Sequence, residues 1–382
     1  MNDPEPVPSF PDALEVATAQ RRHNTALAEY FPDETEVVAE PAKLTLRRPA
    51  ELVSMVFDDS DNILGDRLFC RAQSLVIAGQ GGIGKSRFIN QTIASVVTKR
   101  DFLKFKTGGS EQSWLILQNE NSNRRLHDDF TRIKYWLGTD AMEIFNQKVT
   151  IQCLEKDSDS FVSLDLIENQ RKLEAAIAEV KPDNIVIDPL ASFAIGDINK
   201  DADMQATLRT LSKICRKDNP QRGIIVAHHA LTGKAGAAKA VGYDRSSFGR
   251  NSKALLAWAR GQINIAAVGE ENHDRIIVAC GKCSNAREFE PFAAALNADM
   301  IYECDDSVDV KAWQDGIVGK EAPLATAEDV KRMCKILTPR ADLAKKIMST
   351  GVSRPTAYRL INRAARLKFI SIDRNTDNCS SL

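Results

Sequence analysis

No stretch of the chain stays apolar for the roughly 20 consecutive residues that a membrane-spanning helix needs, so no membrane association is expected. The opening residues Met1-Asn2-Asp3-Pro4-Glu5 lack both the basic start and the apolar core of an export signal. A cytoplasmic protein is the expectation, and its eight scattered cysteines then read as reduced thiols. Cys280 and Cys283 stand at C-x-x-C spacing, but no second pair follows at the distance a zinc site needs. Net charge is nearly absent too, at −1, yet that balance hides two blocks of opposite sign. Residues 1–40 carry nine acidic side chains against Arg21 and Arg22. Residues 331–374 carry twelve Lys or Arg against Asp342 and Asp373. So basic a block on a nearly neutral chain points to a polyanionic partner.

What the chain has, at 382 residues with 43% hydrophobic and 27% charged content, is room for one large domain and a small one. Everything is organised around Gly79-Gln80-Gly81-Gly82-Ile83-Gly84-Lys85-Ser86, which fills every position of the P-loop pattern G-x-x-x-x-G-K-[ST]. The apolar run Leu75–Ala78 before it reads as a buried strand. Ser86–Val97 after it reads as a helix with Phe88, Ile89, Ile93, Val96 and Val97 on its apolar face. In that context the glycines let backbone amides turn inward and cradle phosphate oxygens, and the helix points its positive end at the same anion. Lys85 is expected on the β- and γ-phosphates of ATP, the Ser86 hydroxyl on Mg²⁺, and Arg87 follows as the last residue of the nucleotide-binding stretch.

Downstream, strands and helices alternate. Ser113–Gln118, Val149–Cys153, Asn184–Asp188 and Gly223–Ala227 read as strands, and Arg124–Leu137, Leu164–Val180 and Met204–Lys217 as helices. This pattern predicts an α/β fold with a mostly parallel sheet flanked by helices. Gln262–Val268 and Arg275–Ala279 close it as an antiparallel hairpin. Residues 1–45 are an acidic, proline-rich arm with one candidate helix at Asp12–Tyr30, residues 46–304 the ATPase domain, and residues 305–328 a linker.

Asp188 ends a buried strand, which is where a P-loop ATPase places the carboxylate that orients the Mg²⁺ shell. Glu120 follows another strand end. In open parallel sheets ligands sit at the carboxyl ends of strands, so Glu120 would meet Asp188 and the P-loop at one edge. There it either polarises the attacking water or is a solvated loop acid. His228 and His229 end a third strand on that edge, and one of the two suffices to sense the γ-phosphate. The stretch Ala230–Gly249 holds four glycines with Lys234, Lys239 and Arg245. It reads as a long mobile loop suited to a nucleic-acid backbone.

Residues 329–382 read as a separate unit. Ala341–Met348 and Ser353–Leu367 are helical patterns separated by Thr350-Gly351-Val352, a helix-turn-helix spacing, and Phe369–Ile372 starts a wing strand. Duplex DNA is the expected partner of this winged-helix module. Arg354, Thr356, Ala357 and Arg359 occupy the half of the second helix that would face base edges, and Lys345, Lys346, Arg363 and Arg366 would meet phosphates.

The order P-loop, Glu120, Asp188, His-His, glycine-rich stretch and Arg250-Asn251-Ser252 resembles the RecA-like core of the RepA-type hexameric replicative helicases of plasmids. The most specific parts are Gly79–Ser86, Ile187-Asp188-Pro189-Leu190, Ala227-His228-His229-Ala230 and Gly281-Lys282-Cys283-Ser284-Asn285, within roughly residues 60–300. The resemblance implies a homo-oligomeric ring with ATP between neighbours, Glu120 as the catalytic carboxylate and His229, ahead of His228, as the γ-phosphate switch. It implies Arg250 as an arginine finger acting in trans, with Lys282 and then Arg287 as further cations. It also implies that the glycine-rich stretch grips single-stranded DNA. The C-terminal unit and the acidic arm lie outside this pattern. They keep open a second reading, a DNA-bound ATPase switch that docks on duplex DNA without unwinding it.

Overall fold

The computed structural model describes residues 44–161, 163–230, 233–249, 253–269, 273–317, 327–334, 337–349, 354–373 and 376–381. The described residues divide into two units, one ending at Phe57 and the other beginning at Asp58. In the first, Pro49 opens a short helix α1 (Pro49–Val53), a position where its missing N–H costs nothing. The candidate helix Asp12–Tyr30 lies outside the described residues.

The second unit begins with a small hairpin, β1 (Asn62–Leu64) and β2 (Phe69–Cys70). Then comes β3 (Ser74–Gly79), every residue of which is buried. It alternates as a pleated strand must. Leu75 and Ile77 point into one core layer with Phe88, Ile93 and Phe102. Val76 and Ala78 point into the other with Leu117, Ile187 and Leu208. A strand buried on both faces belongs in the middle of a sheet.

The chain continues through α2 (Lys85–Val97), β4 (Trp114–Gln118), α3 (Asn123–Leu137), α4 (Thr139–Lys148) and β5 (Val149–Ile151). Next come α5 (Ile167–Val180), β6 (Asn184–Asp188), α6 (Asp201–Cys215), β7 (Gly223–His229), α7 (Gly233–Val241), α8 (Lys253–Trp258), β8 (Gly261–Ala267) and β9 (Arg275–Cys283). β10 (Phe292–Leu296), β11 (Tyr302–Cys304) and α9 (Val310–Ile317) complete this part. One nine-stranded sheet runs β11-β10-β9-β8-β3-β7-β6-β4-β5. The six strands from β8 to β5 are parallel, and β9, β10 and β11 follow by antiparallel pairing. This is an α/β architecture on a mostly parallel sheet, with the P-loop strand at the centre and the consecutive strands β3 and β4 separated by two others.

Three expectations need correction. The glycine-rich stretch is not a plain loop, since Gly233–Val241 is helical. Its small residues let the helix lie close to the sheet, and Ala240 is fully buried. Residues 305–328 are not linker throughout either. The Trp313 indole on α9 donates to the Val268 carbonyl (3.0 Å) and its ring packs on the core, while 318–326 lie outside the described residues. Finally, the predicted hairpin is extended by β10 and β11, strands of five and three residues too short to carry a periodicity of their own.

At the C-terminal end, α10 (Ala327–Met333), α11 (Arg340–Met348) and α12 (Arg354–Arg366) share a small core with a three-stranded antiparallel sheet. The sheet order is β12 (Thr338–Pro339), β14 (Asn378–Ser381), β13 (Ile370–Asp373). Val330, Leu343, Ile347, Ile361 and Ile370 are buried there. The turn Thr350-Gly351-Val352 and Ser353 lie outside the described residues.

Candidate active site

The sheet's register gathers the site. Gly79 at the end of β3 sits opposite His229 at the end of β7. Gln118 at the end of β4 sits opposite Asp188 at the end of β6. Four adjacent parallel strands therefore end along one edge, β3 in the P-loop and the other three in polar side chains.

The P-loop leaves β3 in a turn that only glycine tolerates in two places, Gly82 (φ 73°) and Gly84 (φ 93°). A Cβ at Gly81 or Gly82 would meet nothing within 4 Å, so the loop presents an open backbone face. The Lys85 ammonium folds under that loop and donates to the carbonyls of Gly79 (3.1 Å) and Gln80 (3.0 Å). It also lies 3.4 Å from His229 Nδ1. A lysine has only protons to give, so Nδ1 is the acceptor and the ring proton sits on Nε2. That Nε2 faces Glu120, with Oε1 at 3.8 Å. Lys85, His229 and Glu120 thus form one chain of contacts. His228 turns the other way. It is buried, and a Cβ at Gly249 would come within 3.0 Å of its ring.

Burial pushes the Lys85 ammonium below its usual range, a shift opposed by Asp188 and Glu120. Burial likewise pushes the Asp188 carboxyl up, against the Ser86 hydroxyl that hydrogen-bonds to it and the Lys85 charge. Two opposed charges buried beside each other are costly to desolvate, and such perturbed pairs cluster at functional sites. The Ser86 and Asp188 oxygens, side by side below an open cradle of amides, fit the hard-oxygen coordination of Mg²⁺ with a nucleoside triphosphate.

Glu120 owes its place to two residues that the sequence did not single out. The Gln118 carboxamide oxygen accepts from the backbone N–H of Glu120 (3.2 Å) and Asn121 (2.7 Å), and its nitrogen donates to the Asn121 carbonyl (3.1 Å). Asn119 exchanges two hydrogen bonds with the Phe161 backbone (2.7 and 2.9 Å). These are local side-chain-to-backbone bonds of the kind Asn makes in loops. Only the fold shows where they point.

Several expected contacts are placed elsewhere. The Arg87 guanidinium is turned from the phosphate cradle and pairs with Asp129 (3.1 Å), itself held by Arg125 (2.7 Å), so its side chain is not a nucleotide contact. Lys282 pairs in register with Gln262, which pairs with Val76 near the start of β3. That is the opposite end of the strands from the P-loop, and its ammonium donates to the Leu256 carbonyl (2.7 Å). Burial and Arg260 push that ammonium down. It serves no phosphate of its own chain. Arg287 is exposed. Arg250 lies outside the described residues, as do the side chains of Lys234 and Thr356; its neighbour Gly249 is bridged back to Ala230 at the end of β7. Arg245 is held by Glu288 in an ion pair, which raises its pKa, and Lys239 is half-buried on α7. Neither stands out as a free cation on a mobile loop. On α12, Ala357, Ile361 and Ala364 are buried, so Ala357 is a core residue and not a base contact. Arg354, Arg359, Arg363 and Arg366 are exposed, as are Lys345 and Lys346 on α11. Cys280 is buried in β9 with its thiol pushed up to about 12, which disfavours the thiolate a metal would need. Among the described residues no helix is long and apolar enough to cross a membrane.

The chain matches the AAA domain family over residues 18–237. Among solved structures it is similar to a KaiC-like protein from the hyperthermophilic archaeon Pyrococcus horikoshii, at 15% identity and a TM-score of 0.42, over 62% of this chain and 91% of that one. No curated protein matches it. With the family match spanning more than half of the chain and the P-loop, Lys85, Ser86 and Asp188 gathered at one sheet edge, the chain belongs to the AAA domain family and is a P-loop ATPase.

Proposed function

We propose that this ATPase is a motor on single-stranded DNA, working as a hexameric ring and serving as the replicative helicase of a plasmid, phage or other mobile element. The contact chain from Lys85 through His229 to Glu120 carries the reading. It ties the P-loop to the last residue of β7, directly ahead of the stretch proposed to touch DNA. Lys85 binds the β- and γ-phosphates, and Glu120 orients and polarises the attacking water. Ser86 and Asp188 hold Mg²⁺, which when bound neutralises charge on those phosphates. His229, with its Nε2 proton toward Glu120, reports the phosphate's state to the residues that follow it. Arg250 is supplied in trans to a neighbour's γ-phosphate.

A second reading, a DNA-bound switch, is favoured by the exposed arginines of α12, which form a stripe opposite its buried one. One experiment separates the two. The full-length protein with ATP and Mg²⁺ is given a forked duplex, and strand release is followed alongside binding to unforked duplex. ATP-dependent release supports the motor. Tight duplex binding with ATP turnover but no release supports the switch.

A further inference from the structure

Tyr302 is the last residue the sequence would connect with nucleotide binding. It sits on β11, the edge strand, 218 positions from Gly84, yet it is 2% exposed. Its hydroxyl donates to the Ile83 carbonyl inside the P-loop (3.2 Å). Its ring packs edge-on against Phe88 of α2, with centroids 6.1 Å apart. Its backbone is clamped to the same helix. The Tyr302 N–H donates to Gln91 Oε1 (2.8 Å), and Gln91 Nε2 donates to the Tyr302 carbonyl (2.9 Å). The approach is so close that a Cβ at Gly84 would lie 2.2 Å from the hydroxyl oxygen. Burial pushes the phenol up to about 12, so it remains a donor at any physiological pH.

A trans peptide is planar, with its C=O and the following N–H on opposite sides. A hydroxyl that holds the Ile83 carbonyl to one side therefore turns the Gly84 N–H to the other. Gly84 is the residue before Lys85, and its own carbonyl is taken by the first helical bond, from the Phe88 N–H (2.9 Å). Both peptide planes flanking Gly84 are thus fixed before any ligand arrives. We infer that Tyr302 is a positioning residue for phosphate binding, presetting the Gly84 amide to donate to a nucleotide phosphate. The far antiparallel end of the sheet so acts on the P-loop from behind.

This inference rests on the P-loop binding ATP. The test is Tyr302→Phe in the full-length protein. The ring and its packing on Phe88 are kept and one hydroxyl is lost, so the fold survives. Three measurements are made on wild type and variant: affinity for a fluorescent ADP analogue, ATP turnover, and melting temperature. The expected result is a KM for ATP and a Kd for the ADP analogue both raised about tenfold, the scale of one lost hydrogen bond. The kcat stays within about twofold, because the amide serves ground and transition states alike. Unchanged KM and Kd in the variant, with or without a lower melting temperature, overturn the positioning role. A wild type that binds no ADP analogue would instead overturn the P-loop reading, so the two failures are told apart.

Discussion

The strand ends of the central sheet and the outer face of α12 use polar residues in opposite ways. At the sheet edge, Lys85 and Asp188 are buried and their ordinary ionisation is disfavoured. On α12, Arg354, Arg359, Arg363 and Arg366 are exposed. The first arrangement places a few groups to within hydrogen-bond distance of one another by locking strands in register. The second displays charge with little fixed geometry, since the 3.6-residue period alone puts Arg359, Arg363 and Arg366 on one side and Ala357, Ile361 and Ala364 on the other. Chemistry on a phosphate needs the former, and binding a long polyanion is served by the latter.

If that contrast holds, substitutions at the sheet edge change rate and those on the exposed faces of α11 and α12 change DNA binding. The largest effect is expected from Lys85→Ala. ATP hydrolysis should fall to background, because the cation on the transferred phosphate is lost from binding and transition state alike. Normal turnover in the purified variant would break the contrast at its root. Glu120→Gln should come next, with nucleotide affinity kept and hydrolysis reduced by about 10²–10⁴. Single-turnover assays with pre-bound ATP test this, and near-normal hydrolysis would leave Glu120 a bystander to His229.

On the other side, Arg359→Ala in the full chain should relax sequence preference on duplex DNA, at about 1–3 kcal/mol for the base it reads. Lys346→Ala should weaken all sequences alike and flatten the salt dependence by about one unit of slope. ATP turnover without DNA should be untouched in both. Titrations at several salt concentrations check the pair, and loss of basal turnover in either would blur the two regions into one.

The smallest effect concerns stability. The Asp188 carboxyl holds its proton more firmly in the folded chain than at its ordinary 3.8. The folded state therefore binds more protons through this window, and the stability this group contributes is lost as pH rises from about 4 upward. Asp188→Asn should remove that slope. Chemical denaturation of both proteins between pH 4 and 7 measures it, and parallel curves would mean that Lys85 fully offsets the burial of Asp188.

Much of this was legible in residue order. The P-loop motif, the apolar run through Leu75–Ala78 and the acid at the end of Asn184–Asp188 are local signals, and each element they predict is present. Local patterning also suffices for α11 and α12. It failed where long-range packing decides. The glycines of 233–242 read as loop because glycine disfavours a helix, and the helix forms because small residues are needed against the sheet. Arg87 reads as a phosphate contact by adjacency. Helical geometry instead carries it round to Asp129, more than forty residues on in the chain.

By itself the sequence determined the nucleotide loop, the alternation of strands and helices, and the two charge blocks. All of these are properties of near neighbours. That Asn119 ties the loop of Glu120 to Phe161, and that Tyr302 backs the P-loop, were decided by tertiary structure alone. Each depends on how the strands and helices pack, which sets the distance between residues far apart in the chain, and no local preference encodes that distance.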